Sequence, residues 1–516
     1  MKVKRQRLVS EGALSRMMQS AADLWKRCDF QQCAEIMERA RRLDPANVGI
    51  LLDLGSVYGK LHNYPAAEEC FEKAIGLTSK KTETITTAGL RCLDFNKHEM
   101  AERFLQRAIT QMDATPENFI KLAETYERRH RLDEAAQYID RALLLDSASA
   151  AAMLARARLY RQTGRLNDAE SLLRSVLTTS PRGVRYRVWY ELAGVLDRQG
   201  RYDEAMAAFI EAKALLQPDA ARDAADLQVV RERLKFMQAG LSGEMLERWF
   251  DFGEQLQPTH RLALLGGHPR SGTTLLEQVL DSHPDIISAE ETEIFHNAAY
   301  TSLLGNPPEN TPILSILESA GADALQQSRK NYFRSMELFL GNSLGDRLLL
   351  DKNPSLTFLI PAMVRIFPEM KMIVMLRDPR DVCLSCFMQP LALGQVSSAY
   401  LTLAGTVEEY ISLMSIWRTL APLLKNPHIE VRYEDLVNDL ESEARRTLEF
   451  LEVPWNAGVL RFDEHARNKL VRSPTYSDVA KPVFKTAVAR WRNYQKYLQP
   501  YLEKLAPFAK AFGYEV

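Results

Sequence analysis

Small residues recur at a fixed step through the first third of the chain, and this repeat constrains the fold more than any other feature. Three series run in phase, each advancing by 34 residues: Ala21, Gly55, Gly89, Ala123 and Ala157; Cys33, Ala67, Ala101, Ala135 and Ala169; Ala40, Ala74, Ala108 and Ala142. A period of this length is typical of architectures in which each short unit packs on its neighbours. The sequence therefore predicts a repeat array.

Each period contains the pattern of two short helices. In the second repeat, residues 54–58 mark the first helix and residues 67–74 the second, with His62-Asn63-Tyr64 as the turn between them. Asp44-Pro45 and Ser180-Pro181 break the chain between repeats, because proline cannot continue a helix. The small residues are expected where the paired helices approach most closely.

This spacing resembles the tetratricopeptide repeat over about residues 11–217, as roughly six repeats with the last one offset by two residues. The resemblance implies an all-helical solenoid whose concave groove binds a peptide or a partner protein. An array that only supports the second domain or a dimer is the alternative, and no groove residue decides between them.

Composition excludes several classes of function. A chain of 516 residues is too long for one ordinary core, and its net charge of −1 gives no general attraction for nucleic acid or anionic membranes. The basic N-terminus has no apolar signal segment, and no run of residues is long and apolar enough to span a bilayer. Six cysteines in such a length are no disulfide framework. We expect a cytoplasmic protein that acts on neither nucleic acid nor membranes.

The rhythm changes after Gln257-Pro258. Apolar runs that alternate with helical stretches are predicted as strands at Arg261–Gly267, Arg347–Leu350, Lys371–Leu376 and Ile429–Tyr433. Buried strands separated by helices indicate a parallel sheet that is covered on both faces. The predicted domains are a repeat array at 1–218, a helical cap and linker at 219–257, and an α/β domain at 258–516.

The first predicted strand runs into a glycine-rich loop and then an amphipathic helix. This architecture directs backbone N–H groups and a helix N-terminus at an anion. Gly267 and Gly272 have the spacing of a Walker A loop, but Thr273 and Thr274 stand where the lysine and hydroxyl residue should follow. The missing lysine argues against NTP hydrolysis. A cation is present inside the loop instead, as Arg270.

A second motif, Arg377-Asp-Pro-Arg-Asp381, closes the predicted strand at 371–376. Asp378 can cap the next helix and Pro379 suits its first position. Arg377 leaves the carboxyl end of the strand, where α/β sheets bind ligands. Cys383 and Cys386 have redox-motif spacing, but they fall inside this helix and are interpreted as structural.

These motifs, with Val431-Arg-Tyr-Glu-Asp435 and two loose C-terminal matches, resemble those of sulfotransferases that use 3′-phosphoadenosine 5′-phosphosulfate (PAPS). The loop agrees more closely with tyrosylprotein sulfotransferases than with cytosolic enzymes. The resemblance implies a three-layer, P-loop-like α/β domain with a parallel sheet. The resemblance also implies which residues bind each part of the nucleotide. The loop would bind the 5′-phosphosulfate through Gly267, Arg270, Ser271, Gly272, Thr273 and Thr274, and the second motif would bind the 3′-phosphate through Arg377 and Ser385. Tyr433 would line the adenine, and the C-terminal segment with Thr475, Ser477 and Arg490 would close over the nucleotide.

The same resemblance implies the catalytic residues. Glu291, 21 residues past Arg270, matches the general base, and Lys352 matches a lysine that stabilises charge on the bridging oxygen together with Arg270. The family has arginine where this chain has Glu293, which puts recognition of acidic tyrosine sites in doubt. His268 is the alternative base.

The sequence therefore predicts a PAPS-dependent sulfotransferase that releases adenosine 3′,5′-bisphosphate and needs no metal. Tyrosine in a polypeptide is the first candidate acceptor, followed by a glycan or a small phenol or alcohol. A P-loop kinase or NTPase and a nucleotide-binding scaffold without catalysis are the competing hypotheses. The combination of repeats with this domain resembles bacterial tetratricopeptide sulfotransferases. Oligomeric state is not readable from the sequence.

Overall fold

The computed structural model describes residues 2–305, 311–390, 393–468 and 485–516. The chain divides into two compact units, Met1–Arg156 with Ser335–Gly341, and Ala157–Arg334 with Asn342–Val516. This division does not follow the predicted boundaries at 218 and 257, because the last repeat helices group with the α/β region. Those boundaries rest on sequence pattern and remain predictions.

The repeat region consists of helices that follow one another closely. The helices are α1 (Lys2–Lys26), α2 (Phe30–Leu43), α3 (Val48–Lys60), α4 (Tyr64–Leu77), α5 (Lys81–Asp94), α6 (His98–Ile109), α7 (Pro116–Arg128), α8 (Leu132–Leu145), α9 (Ala150–Gln162), α10 (Leu166–Thr179), α11 (Arg182–Arg198) and α12 (Tyr202–Leu216). Helices α2 and α10 end just before Asp44-Pro45 and Ser180-Pro181, as the sequence predicts.

A left-handed residue marks the turn between the two helices of each repeat. Positive φ angles occur at Cys28, His62, Asn96, His130 and Gly164, each 34 residues apart, and then at Gly200 after a step of 36. A residue in this conformation lets the chain leave one helix and enter an antiparallel neighbour at once. The backbone therefore repeats with the predicted period, including the two-residue offset of the last repeat.

The recurring small residues form the contacts between helices. Ala67, Ala74 and Ala101 have no exposed surface. A side chain at Gly55 would collide with the ring of Phe71. The small residues are thus required by close helix packing, and the predicted repeat architecture is confirmed.

Fourteen further helices in the described part of the chain follow the repeat helices. They are α13 (Ala221–Gly240), α14 (Gly243–Phe252), α15 (Thr273–Asp281), α16 (Thr301–Leu304), α17 (Ile313–Ser319), α18 (Ala322–Leu340), α19 (Ile360–Ile366), α20 (Pro379–Phe387), α21 (Leu403–Leu420), α22 (Tyr433–Asn438), α23 (Leu440–Phe450), α24 (Phe462–Asn468), α25 (Gln495–Leu498) and α26 (Leu502–Ala511). None of the helices in the described ranges combines the length and the apolar character needed to cross a bilayer.

The described residues form a five-stranded parallel sheet in the order β2-β3-β1-β4-β5. The strands are β1 (Leu262–Gly267), β2 (Ile286–Glu290), β3 (Leu348–Lys352), β4 (Lys371–Leu376) and β5 (His428–Arg432). The sequence predicts β1, β3, β4 and β5 to within two residues. It misses β2, because only Ile286 and Ile287 are strongly apolar before polar residues end the strand. The predicted parallel α/β class is confirmed.

Pairing between strands fixes which residues meet at the carboxyl edge. Lys352, the last residue of β3, pairs with Leu265 of β1 on one side and Glu290 of β2 on the other. On the far side of β1, Gly267 pairs with Met375 of β4. The end of every central strand therefore opens at the same edge as the glycine-rich loop.

Candidate active site

The glycine-rich loop depends on two glycines for its shape. Gly267 has a φ of 124°, and a Cβ there would lie 2.5 Å from the backbone oxygen of Met375. Gly272 has a φ of 102°, and a Cβ there would lie 2.5 Å from the ring of Tyr433. Glycine alone suits both positions, since a side chain meets a positive φ and an occupied space together. The two predicted glycines therefore set the path of the loop.

Hydrogen bonds hold the loop to its surroundings. The backbone N–H of Ser271 (3.1 Å) and its hydroxyl (2.7 Å) both donate to the carbonyl of His268. Thr357 Oγ1 donates to the carbonyl of Gly267 at 2.6 Å and accepts from its N–H at 3.0 Å. Helix α15 then begins at Thr273, directly behind the loop. A fixed loop that opens a helix presents N–H groups to an anion without reorganisation.

Four predicted nucleotide residues meet beside this loop. Arg270 Nε donates to Ser385 Oγ at 3.1 Å, and Arg377 Nη1 donates to the carbonyl of Arg270 at 3.1 Å. The Arg377 guanidinium also lies over the ring of Tyr433, 4.6 Å from its centre. Two arginines, a hydroxyl and an aromatic face form a site that suits a phosphorylated nucleoside.

The turn after β4 supports Arg377. Asp378 accepts from the N–H of Arg380 at 2.9 Å, which caps α20 as predicted. Asp381 Oδ1 accepts from the N–H of Trp491 at 2.7 Å. Burial raises the pKa of Asp381 to about 6, against the opposing effect of the Arg377 guanidinium. Cys383 and Cys386 are buried free thiols inside α20, which agrees with their interpretation as structural.

Lys352 is fully buried in a cage of carboxylates. Its Nζ lies 2.7 Å from Glu291, 3.2 Å from Glu290 and 3.5 Å from Glu277. Burial alone would lower the pKa of this lysine, but the three carboxylates outweigh it and hold the pKa above its usual range. The ammonium is therefore kept charged beside the carboxylate predicted to be the base.

Sequence reasoning misses Glu277 and Glu290 as members of this cage. Glu277 is completely buried on α15, where it also accepts from the Ser288 hydroxyl at 2.7 Å. A charged residue within an apolar helix face was the available signal, since such a residue is rarely buried without a partner. Nothing in the local sequence identifies that partner as Lys352, 75 residues further along the chain.

Glu291 follows the end of β2 in a left-handed conformation, with a φ of 48°. Its N–H donates to the carbonyl of Lys352 at 2.7 Å, and its side chain is 39% exposed. Non-glycine residues adopt this conformation at a cost, which is often met at functional sites. Glu291 is therefore the one carboxylate of the cage that is not buried, and its exposed side is accessible to an incoming group.

His268, the alternative base, is packed inside the protein. Its side chain is 1% exposed, and its Nδ1 lies 2.8 Å from the carbonyl of Pro269. Burial lowers the pKa of His268 to about 4. The ring is neutral and shielded from solvent, which favours Glu291 over His268 as the group that meets an acceptor.

Arg490, a C-terminal residue predicted to bind the nucleotide, is paired away from the residues beside the loop. Arg490 Nη2 forms an ion pair with Asp197 of α11 at 2.6 Å, rather than with any of the four residues beside the loop. Thr475 and Ser477 lie outside the described residues. The nucleotide roles of Arg490 and Ser477 remain predictions.

Comparisons with known families agree with both halves of the chain. A family model described as a sulfotransferase family matches residues 263–457, from β1 to beyond Tyr433. Models of the tetratricopeptide repeat match residues 48–81, 128–186 and 160–227.

Individual relatives extend this comparison. An uncharacterised protein of Aquifex aeolicus is 27% identical over 345 residues, which cover 65% of this chain and 43% of the relative. Protein-tyrosine sulfotransferase 1 of Danio rerio is 27% identical over 271 residues, which cover 49% of this chain and 72% of the relative. The solved sulfotransferase domain of the olefin synthase from Synechococcus PCC 7002 is 19% identical, with a TM-score of 0.36 over 51% of this chain and 97% of that domain. The chain thus spans less than half the length of the Aquifex aeolicus protein.

Proposed function

We propose that this chain, which carries a sulfotransferase-family domain behind tetratricopeptide repeats, transfers a sulfuryl group from PAPS to a hydroxyl acceptor. The contact that carries the proposal is the 2.7 Å ion pair between Lys352 and Glu291 at the carboxyl edge of the sheet. It joins a buried lysine, whose pKa three carboxylates hold above its usual range, to a partly exposed carboxylate beside the glycine-rich loop. Sulfuryl transfer needs a group that takes the proton of the acceptor and a cation that stabilises the leaving oxygen.

The donor fits the residues around the loop. The loop N–H groups, with Ser271, Thr273 and Thr274 at the start of α15, would hold the 5′-phosphosulfate. Arg377 and Ser385 would hold the 3′-phosphate, and Tyr433 would line the adenine. Gly272 supports this assignment, because the loop packs directly against the ring of Tyr433 there and so keeps the proposed phosphate and adenine residues adjacent.

Each step of the transfer has a group suited to it. Glu291 would accept the proton of the acceptor hydroxyl while the acceptor oxygen forms a bond to sulfur. The bond from sulfur to the 5′-phosphate oxygen breaks at the same time. Lys352 and Arg270 would stabilise the negative charge that this oxygen gains. Separation of the Lys352–Glu291 ion pair would free Glu291 to accept the proton and Lys352 to stabilise the leaving oxygen.

Tyrosine in a polypeptide is the acceptor that we propose first. The name of the Danio rerio relative supports it, as does a repeat array of the kind that binds peptides. Glu293 favours an acceptor without the acidic flanks for which an arginine would be suited. In this proposal the repeats recruit the acceptor protein or its partner.

The test uses ³⁵S-labelled PAPS with tyrosine peptides of acidic, neutral and basic flanks, together with glycans and small phenols. Glu291→Gln removes the proposed base, and Glu293→Gln is the matched control, because it makes the same change two residues away at another exposed position. We expect Glu291→Gln to lower transfer by about 10²- to 10⁴-fold and Glu293→Gln to keep the rate while changing peptide preference.

Each other outcome has a defined meaning. Transfer that survives Glu291→Gln keeps the reaction and moves the base elsewhere, with His268 the next residue to substitute. Transfer only to glycans or phenols keeps the reaction and overturns the polypeptide acceptor. Binding of PAPS without transfer to any acceptor supports the scaffold hypothesis instead.

A further inference from the structure

A short C-terminal stretch, residues 485–498, lies between the proposed nucleotide site and the last repeat helices within the second compact unit. We call it the bridging segment. It contains a 3₁₀ helix (Arg490–Tyr494) and α25. On one side it contacts the second nucleotide motif, and on the other side it contacts the repeat helices. The contacts to the repeats identify a residue that acts on the proposed nucleotide site.

On one side the bridging segment holds the second nucleotide motif. Arg377 Nη2 donates to the carbonyl of Ala487 at 2.5 Å, and the N–H of Trp491 donates to Asp381 at 2.7 Å. The Arg380 guanidinium lies 4.1 Å from the centre of the Trp491 ring. The orientation of Arg377 therefore depends on where the backbone around residue 487 is held.

On the other side the segment is held by one largely buried carboxylate. Asp197, at the end of α11, accepts from the Tyr494 hydroxyl at 2.7 Å and pairs with Arg490 at 2.6 Å. The Asp197 side chain is 16% exposed, so both bonds are largely shielded from water. Charge-assisted hydrogen bonds in such surroundings are among the stronger polar contacts in proteins.

A second contact beside it offers a comparison. Asp203 at the start of α12 pairs with Lys496 at 2.7 Å and accepts from Tyr497 at 3.1 Å. The Asp203 side chain is 67% exposed and Lys496 is 62% exposed. Exposed pairs of this kind contribute little, because water screens them. Asp197 and not Asp203 is thus the residue able to hold the segment.

The backbone between the two sides is itself constrained. Ala489, which lies between Ala487 and Arg490 in the chain, has a φ of 55°, a left-handed conformation. An alanine keeps this conformation only where its neighbours are fixed. Contacts at 487 and at 490–494 supply that restraint from both directions.

We infer that Asp197 of the repeat region is a positioning residue for the nucleotide site, which it acts on through the bridging segment and Arg377. The inference rests on the proposed function, since it assumes that Arg377 binds the 3′-phosphate. It gives the last repeat a part in donor binding, in addition to any part in recruiting an acceptor. Asp197 touches neither substrate and acts only by holding residues 487–494 in place.

The experiment measures binding of adenosine 3′,5′-bisphosphate to the full-length chain by calorimetry, with no acceptor present. Asp197→Asn is compared with Asp203→Asn, which makes the same chemical change on the neighbouring exposed pair. Loss of one charge-assisted hydrogen bond corresponds to about a tenfold change in a binding constant. We expect a Kd about tenfold higher for Asp197→Asn and a Kd within twofold of wild type for Asp203→Asn.

Kinetics separate positioning from general damage. In the transfer assay, Asp197→Asn should raise the KM for PAPS about tenfold and leave kcat unchanged, and Asp197→Glu should restore part of the loss. If Asp197→Asn does not fold, Tyr494→Phe removes one of the same two bonds and should raise the nucleotide Kd by about threefold.

The two proposals fail in different ways. A wild-type chain that does not bind adenosine 3′,5′-bisphosphate overturns the donor assignment itself. A wild-type chain that binds it, with unchanged Kd in folded Asp197→Asn or Tyr494→Phe, overturns only the positioning role. Equal weakening in Asp197→Asn and Asp203→Asn also overturns that role, because the effect would then follow charge rather than contact.

Discussion

The repeat region and the glycine-rich loop both use left-handed backbone, and they use it under opposite constraints. In the repeats this conformation is taken by cysteine, histidine, asparagine and glycine in turn, and nothing lies within 4 Å of a Cβ added at Gly164 or Gly200. In the loop a Cβ at Gly267 would meet backbone 2.5 Å away. The left-handed conformation leaves the residue type free in open surroundings, whereas it requires glycine where, as at Gly267, an added Cβ would meet packed backbone.

Ion pairs in the two regions differ in the same way. Arg103 and Glu68 join neighbouring repeats at 2.5 Å with side chains 58% and 37% exposed. Lys352 has no exposed surface and is the shared partner of three carboxylates. Removing one of many exposed ion pairs should change stability little. Removing a buried cation that several carboxylates share leaves those carboxylates charged and inaccessible to water.

The largest effect is expected from Lys352→Met. It should lower the free energy of unfolding at pH 7 by about 3–5 kcal/mol, since it leaves Glu277 and Glu290 buried without their cation. The deficit should shrink as pH falls, because protonation neutralises the carboxylates. Arg103→Met, measured in the same urea titrations, should cost less than about 1 kcal/mol. Equal losses in the two variants would show that burial of the shared cation does not make its ion pairs more important than exposed ones.

Gly267→Ala should have the next largest effect. The added methyl group meets both a left-handed φ and the Met375 carbonyl, so a loss of about 3 kcal/mol is expected, together with loss of nucleotide binding. Gly164→Ala meets the unfavourable φ alone and should cost about 1 kcal/mol. Thermal unfolding of both variants tests whether occupied space, and not backbone conformation, separates the two regions.

Lys213 lies at a repeat position but carries a buried ionisable amine. Four of the earlier repeats place Ile75, Ile109, Leu143 and Leu177 at the equivalent positions, and the first places Arg41 there. Lys213 is 2% exposed, and its Nζ donates to the carbonyl of Gln389 at 3.3 Å. Burial lowers the pKa of Lys213 to about 7. Unfolding would restore the pKa to about 10.4, so the unfolded chain binds more protons between these two values.

Stability should therefore rise with pH above 7 in the wild type, by about 2 kcal/mol up to pH 9 from this residue alone. Lys213→Leu, which introduces the residue that the two preceding repeats have at this position, should remove that part of the rise. Urea unfolding at pH 7 and pH 9 measures the difference. An identical rise in both proteins would show that Lys213 carries no such penalty.

The success of sequence reasoning follows the same division between regions. The repeats are predictable because the same contacts between helices recur in each 34-residue period. The loop, Arg377, Ser385 and Tyr433 are predictable because each sits in a local motif at the end of a strand, and parallel strands bring such ends together. The partners of Lys352 and Arg490 are not predictable, because Glu277 and Asp197 are distant in sequence and only packing selects them. Strand β2 is missed because it has too few apolar residues to stand out.

Arg377 joins parts of the chain that are made at different times. One of its nitrogens binds the carbonyl of Arg270, and another binds that of Ala487, 110 residues after Arg377 itself. At ribosomal rates of about 5–20 residues per second, that interval takes about 5–20 s. A nascent chain would thus carry a finished loop before the second of these contacts of Arg377 could form. A nucleotide bound at the proposed site would then stabilise the chain only after residue 487 is made, and it would give no help to the early stages of folding.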